Sequence, residues 1–348
     1  MPIKKQPHRP LLRWFGGKWT IAPWIISHFP PHKTYVEPFG GAASILVRKP
    51  RSKVEVLNDL DDRLVALYRC VRDPTLHLML AAALDATLFA RGEFELSFLP
   101  VDRAGYTEGE YLVEVARRLI VRASMGFATG KEDAGHTGFR DYTGENRRGA
   151  PVKDWDGVDA SIAAMHERFK GVIVDSRDAV EVVQRHDSPS TLHYIDPPYI
   201  GYVRSERCGY KHELDSAGHQ RLLDALLGVK GMVVLSGYTN MLYAERLHGW
   251  RSVMQRSMTT GGWNYEVLWL NPAAAAALDA SKRQLSLFDA YGPLLPADSG
   301  CVQQEEAAHV PQNAQAAVRA DRDSRRADRL AVRRRQAGAG APGVSPPE

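Results

Sequence analysis

Short, continuous apolar runs recur along the chain: KTYVEPF, KVEVLND, GVIVDS, TLHYIDPPY and GMVVLSG. Runs of this kind, apolar without strict alternation, suit strands buried on both faces. Between them stand DRLVALYRCVRD, DAVEVVQRH and DSAGHQRLLDALLG, whose apolar residues fall about three and four apart, as along one side of a helix. Strand and helix in alternation predict an α/β fold with a mostly parallel, doubly wound sheet and helices on both faces. Two later runs, RSVMQRSM and YEVLWLNP, flank the turn-rich TTGGWN and predict a terminal antiparallel hairpin.

The alternation stops from about Leu84 to Phe169, a stretch rich in Gly, Arg and aromatic residues. It is too long for a plain connection and reads as an inserted, mostly helical subdomain over 84–169. The main domain then comprises 1–83 and 170–272. A linker follows over 273–297, and a tail of Ala, Gln, Arg, Gly and Pro over 298–348 whose composition predicts disorder. No repeat at a fixed period is present.

Composition adds little to this outline. Of 348 residues, 44% are hydrophobic and 25% charged, ordinary values for a globular protein. The net charge of +4 leans only weakly towards an anionic partner. The cysteines Cys70, Cys208 and Cys301 lack metal-ligand spacing, which argues against a zinc site and a disulfide framework and favours a reducing, cytoplasmic setting. No apolar stretch follows the basic N-terminus that would serve as a signal peptide or membrane span.

Glycine pairs carry the first hint of chemistry. In YVEPFGGAASI, Gly40 and Gly41 stand where a strand turns into a helix, so the backbone can approach a ligand closely; a merely tight turn is the competing explanation. The next strand ends in LND, with Asp59 about 20 residues beyond the glycines, the spacing at which an acidic residue accepts from a ribose in doubly wound nucleotide sites. The dinucleotide fingerprint is incomplete, with Ala43 near the place of a third glycine, and no Walker lysine follows. Upstream, RWFGGK places Trp14 and Lys18 around a flexible turn, suited to cap a cofactor and offer a positive charge to a carboxylate.

The fourth strand ends in Asp196-Pro197-Pro198-Tyr199, where ligands bind in open parallel sheets. The prolines contribute no backbone donor, so their carbonyls and the Asp196 carboxylate are placed to accept hydrogen bonds from a substrate amine. Tyr199 offers a flat face for a base.

In order, RWFGGK, VEPFGGAAS, LNDLDDRLVALY, the insertion, DPPY and EVLWLNP resemble the Dam-like group (D12 class, alpha group) of DNA adenine methyltransferases, over about residues 10–272. The resemblance implies a Rossmann-like methyltransferase fold and S-adenosyl-L-methionine as methyl donor. Trp14, Lys18, Pro38, Phe39, Gly40, Gly41, Ala42 and Asp59 match its donor-contacting positions, and Asp196 lies in the family beside both donor and target amine. Asp175 and Ser176, in VDSRDA, would border the adenine of the donor, whereas Asp178 reads as a helix cap. No metal is implied. The base is expected to be extruded from double-stranded DNA and stacked on Tyr199.

The insertion would read the DNA. Arg122, Arg140, Arg147, Arg148 and Lys153 are its candidates for phosphate or guanine contacts, and Phe139 or Tyr142 for wedges between bases. The recognition motif of GATC-methylating members is absent, so the target sequence is open, as is the existence of a cognate restriction endonuclease. Beyond the fold, Gln284-Leu285-Ser286-Leu287-Phe288 is similar to the peptide by which replication and repair proteins bind the sliding clamp; packing on the domain is the competing reading. The tail carries eight arginines against three aspartates over 319–335, which suits salt-sensitive DNA affinity or simple solvation. Methylation of an amine in RNA or protein, or a DNA-binding or clamp-tethered module without catalysis, are the alternatives to DNA adenine methylation.

Overall fold

The computed structural model describes residues 7, 9–10, 12–127, 138–141, 152, 155–199, 212–259 and 262–291. Its centre is a seven-stranded sheet made of β1 (Thr34–Glu37), β2 (Val54–Asn58), β3 (Val172–Asp175), β4 (Thr191–Ile195), β5 (Met232–Gly237), β6 (Arg251–Thr259) and β7 (Gly262–Leu270). The order across the sheet is β3-β2-β1-β4-β5-β7-β6. The five strands from β3 to β5 pair in parallel, while β7 runs antiparallel to both β5 and β6. This is the doubly wound α/β sheet with a terminal hairpin that the apolar pattern predicts, and the Rossmann-like fold that the resemblance implies.

From β1 the chain winds outward through β2 and β3, then crosses back to lay β4 on the other side of β1. The carboxyl ends of β1 and β4 therefore flank the point at which the winding reverses, where open sheets bind ligands. Successive strand residues go to opposite faces. Tyr35, Leu57, Leu192 and Tyr194 join one apolar cluster, while Val36 and Val56 pack with Val182, and Ile195, Val233 and Leu235 with Leu222 and Leu223.

The helices are α1 (Ala22–Ile26), α2 (Ser44–Arg48), α3 (Asp62–Arg72), α4 (Leu76–Asp85), α5 (Arg91–Leu96), α6 (Glu108–Met125), α7 (Val158–Phe169), α8 (Ala179–Arg185), α9 (Ser216–Leu227), α10 (Met241–Arg246) and α11 (Pro272–Tyr291). Several start where sequence chemistry places them. Asp61, Asp178 and Asp215 cap α3, α8 and α9 by accepting a backbone amide, and Thr107 with Glu110 forms a capping box on α6. Asp178 is thus the helix cap expected of it.

Helices α4 to α7, lying between β2 and β3, do not build a core of their own. Leu80, Phe94, Leu119 and Ile162 belong to the same apolar cluster as Tyr35 and Leu57 of the sheet. An ion cluster ties them down further. Glu55 on β2 is buried between Lys49, whose Nζ lies 2.5 Å from its Oε1, and Arg168 of α7, whose Nη1 and Nη2 lie 2.6 Å and 2.9 Å from its two oxygens.

The stretch expected to be a linker from residue 273 begins instead as α11. Asn271 starts it, accepting from Ala274 N at 2.9 Å and from Val233 N at 3.0 Å while donating to Gly231 O at 2.9 Å. Ala274, Ala275 and Leu278 are buried against the sheet. Gln284 is exposed on the same helix, and the side chains of Leu285, Leu287 and Phe288 lie outside the described residues, as does the whole arginine-rich tail. Among the described residues no helix is long and apolar enough to cross a membrane.

Candidate active site

The loop after β1 is shaped by what packs beneath it. Gly40 sits so close to the neighbouring strand and helix that a Cβ would stand 2.7 Å from Tyr68 Oη and 2.9 Å from Leu57 Cδ1. Gly41 adopts φ +50°, a conformation that favours glycine, and a Cβ there would press on Trp14 at 3.2 Å. The loop is held by Asp59, whose Oδ2 accepts from Gly41 N at 2.9 Å while its Oδ1 accepts from Asp61 N at 2.9 Å. Asn58 fastens three strand ends together, donating to Pro38 O and Arg177 O at 2.9 Å each and accepting from Arg177 N at 2.8 Å.

These loops, the turn at Trp14 to Lys18 and the end of β4 enclose a cleft with about 940 Å³ of empty space, its open mouth included. Trp14, Lys18, Pro38, Phe39, Gly40, Gly41, Ala42, Asp59, Asp196 and Pro198 all line it, so the segments singled out in the sequence converge from four separate stretches of chain.

At the floor of the cleft lies a compact polar network. Lys18 Nζ, buried, is 2.9 Å from Asp196 Oδ2, 3.8 Å from Glu266 Oε1, and donates to Gly16 O at 2.9 Å. The lysine expected to meet a ligand carboxylate thus meets a carboxylate of the protein. Tyr199 Oη reaches Asp196 Oδ1 at 3.2 Å and Glu266 Oε1 at 2.5 Å, and Ser236 Oγ donates to Glu266 Oε1 at 2.6 Å. The Tyr199 ring stands edge-to-face with Tyr238 at 4.5 Å and under the Lys18 ammonium at 4.9 Å.

Burial governs the electrostatics. It pushes the Asp196 carboxyl up to about 6, with Lys18 opposing the rise and Glu266 adding to it. Burial likewise lifts Asp59 to about 6, against the backbone amides that it accepts. Glu37, at the end of β1 and also lining the cleft, is raised to about 8 by burial, although it accepts from Tyr35 Oη at 2.8 Å and Leu46 N at 3.1 Å. At neutral pH Glu37 is therefore held mostly neutral, whereas Asp59 and Asp196 are mostly charged.

Other expected site residues lie elsewhere. Pro197 is buried and, like Tyr199, stands just off the cleft lining. Asp175 and Ser176 end the neighbouring strand β3 outside the lining, and Asp175 is paired with Arg177 Nε at 3.2 Å. Of the DNA-reading candidates, three are engaged within the protein. Arg122 donates to Ser97 O and lies over the Phe98 ring; Arg140 is buried and donates to Ser124 O at 3.0 Å; Phe139 packs with Phe89 and Phe94. Tyr142, Arg147, Arg148 and Lys153 lie outside the described residues.

Sequence reasoning missed Glu37, Asn58, Ser236 and Glu266. For Glu266 a signal existed, since an acidic residue inside the apolar run YEVLWLNP needs a partner when that strand is buried.

Residues 14–97 match the family model described as D12 class N6 adenine-specific DNA methyltransferase. Over 65 residues the chain is 35% identical to the DNA adenine methylases of Escherichia coli (strain K12), Salmonella typhi and Salmonella typhimurium. That stretch is 19% of this chain and 23% of each relative, so the chain spans less than a quarter of the length of the curated relatives it matches.

Proposed function

We propose that this chain is a DNA adenine methyltransferase, which moves a methyl group from S-adenosyl-L-methionine to the exocyclic N6 amine of adenine in double-stranded DNA. The observation that carries the reading is the opening of the Asp-Pro-Pro-Tyr strand end onto a glycine-lined cleft at the switch point of the sheet. The family match over residues 14–97 supports the same activity.

The residues present fit the methyl donor. Gly40 and Gly41 place bare backbone at the cleft wall, Trp14 supplies a flat apolar flank, and Asp59 a carboxylate suited to ribose hydroxyls. When bound, the donor supplies a methyl group already made electrophilic by its sulfonium. The protein's task is the acceptor, whose amine lone pair is delocalised into the adenine ring.

Asp196 accepts a hydrogen bond from that amine and fixes its direction, which favours a more tetrahedral nitrogen aimed at the methyl group. With a carboxyl raised to about 6, it is mostly ionised at neutral pH and is suited to take the proton that the nitrogen sheds as the new bond forms. The Pro197 carbonyl is a second acceptor. The target base leaves the duplex to reach this point and meets the Tyr199 ring.

Labelled methyl donor, offered with mixed DNA, RNA and protein acceptors, tests the reading. Label is expected in N6-methyladenine of DNA and lost in Asp196→Asn. Label in RNA or protein would transfer the chemistry to another polymer, and none anywhere would favour a binding module. Docking of Gln284, Leu285, Leu287 and Phe288 on a sliding clamp has the support of sequence alone; equal retention of Leu287→Ala and Phe288→Ala on immobilised clamp would dismiss it.

A further inference from the structure

The Tyr199 hydroxyl has one hydrogen and two carboxylates within reach, Asp196 Oδ1 at 3.2 Å and Glu266 Oε1 at 2.5 Å. The shorter contact takes the hydrogen, because hydrogen bonds to a carboxylate strengthen steeply as they shorten. Glu266 is well placed to keep it. It is 3% exposed on a strand between two others, and Ser236 Oγ donates to the same oxygen at 2.6 Å, which fixes the carboxylate in place. Lys18 meanwhile engages the other oxygen of Asp196, Oδ2, at 2.9 Å. The direction of one hydroxyl hydrogen thus decides how much of the acceptor strength of Asp196 Oδ1 is left for a second donor.

We propose that Glu266 is a positioning residue that draws the Tyr199 hydrogen to itself and so keeps Oδ1 of Asp196 open to the methyl-accepting amine. The proposal rests on the role given to Asp196 above. It makes Tyr199 a group that has to be restrained, since its hydroxyl competes with the substrate for the same oxygen.

A double-mutant cycle separates this role from a structural one. Glu266→Gln keeps the shape but weakens the acceptor, so the tyrosine turns its hydrogen to Asp196. Methyl transfer is then expected to fall in kcat by roughly ten- to a hundred-fold, with KM for S-adenosylmethionine little changed. Adding Tyr199→Phe removes the competing hydrogen, and the double variant should outperform Glu266→Gln. If the two losses simply add, Glu266 acts through the fold alone and the proposal is overturned.

A second readout needs no acceptor. The carboxylic acid band of Asp196, isolated in the infrared as the difference between the chain and its Asp196→Asn variant, is followed with pH. The groups that bear on Asp196 are Lys18 from the N-terminal turn, Glu37 on β1, Tyr194 on β4, Tyr199, Glu266 on β7 and Tyr243 on α10. Loss of the Glu266 charge and gain of the tyrosine hydrogen both favour the carboxylate, so the titration should move to lower pH in Glu266→Gln. Tyr199→Phe should return part of that shift. An unmoved midpoint overturns the proposal. A midpoint that moves as expected, in a chain that methylates no DNA, upholds the role of Glu266 and instead removes the DNA reading.

Discussion

Single residues set how the site responds to pH. On the proposed role of Asp196 as an ionised acceptor, its carboxyl, raised to about 6, predicts a kcat profile that falls as pH drops through about 6, and Asp196→Asn should remove transfer at every pH. Glu37 behaves differently. Its folded value of about 8 lies above the ordinary 4.5, so its contribution to stability is full below 4.5 and is lost as pH rises through about 8. Glu37→Gln mimics the neutral acid, and denaturant melts across that range should show a flatter loss of stability than in the unaltered chain. A parallel fall in both proteins would mean that Glu37 is not held neutral. Gly40→Ala should cost about 1–3 kcal/mol, read from the same melts, because its Cβ meets Tyr68 and Leu57 in close packing.

Elements were legible to the extent that burial dictated them. Strands β4 and β5 show in the sequence because a strand covered on both faces has to be largely apolar, and both are buried at every residue, whereas β3, at the sheet edge, shows despite burying only its first residue fully. The glycine turn and the Asp-Pro-Pro-Tyr strand end were equally readable, since both are backbone requirements written in residue type. What escaped depends on partners distant in sequence. An arginine that bonds a carbonyl, as Arg140 does at Ser124, has the same composition signature as one that reaches for a phosphate. The alanine-rich start of α11 likewise resembled a linker, yet Asn271 ties it to β5. Asn271→Ala removes a helix cap and two buried partners at once, and should lower stability by roughly 2–3 kcal/mol with little change in affinity for the proposed methyl donor. A thermal melt with and without S-adenosylmethionine distinguishes the two effects.

At the scale of the whole molecule, the sheet and the inserted helices are joined through one apolar cluster and one buried ion cluster. Burial pushes the Glu55 carboxyl up, but the bonds from Arg168 and Lys49 outweigh it and hold the group below its usual range. Its contribution is therefore present above the unfolded value and lost as pH falls through the folded one, which makes the junction acid-sensitive. Glu55→Gln would strand two buried cations and cost about 3–5 kcal/mol; chemical denaturation that shows less than 1 kcal/mol, roughly the level of an exposed pair, would rule that out. The sheet order also constrains how the chain is made. Strand β7, last in sequence, inserts between β5 and β6, and it carries Glu266 into the network begun by Lys18 near the other end of the chain. A ribosome that releases the polypeptide before residue 262 leaves the apolar edge of β5 uncovered, a surface prone to pair with other chains. Such fragments also lack Glu266, the acceptor of the Tyr199 hydroxyl, so incomplete synthesis yields products that are adhesive and leave the polar network under the cleft unfinished.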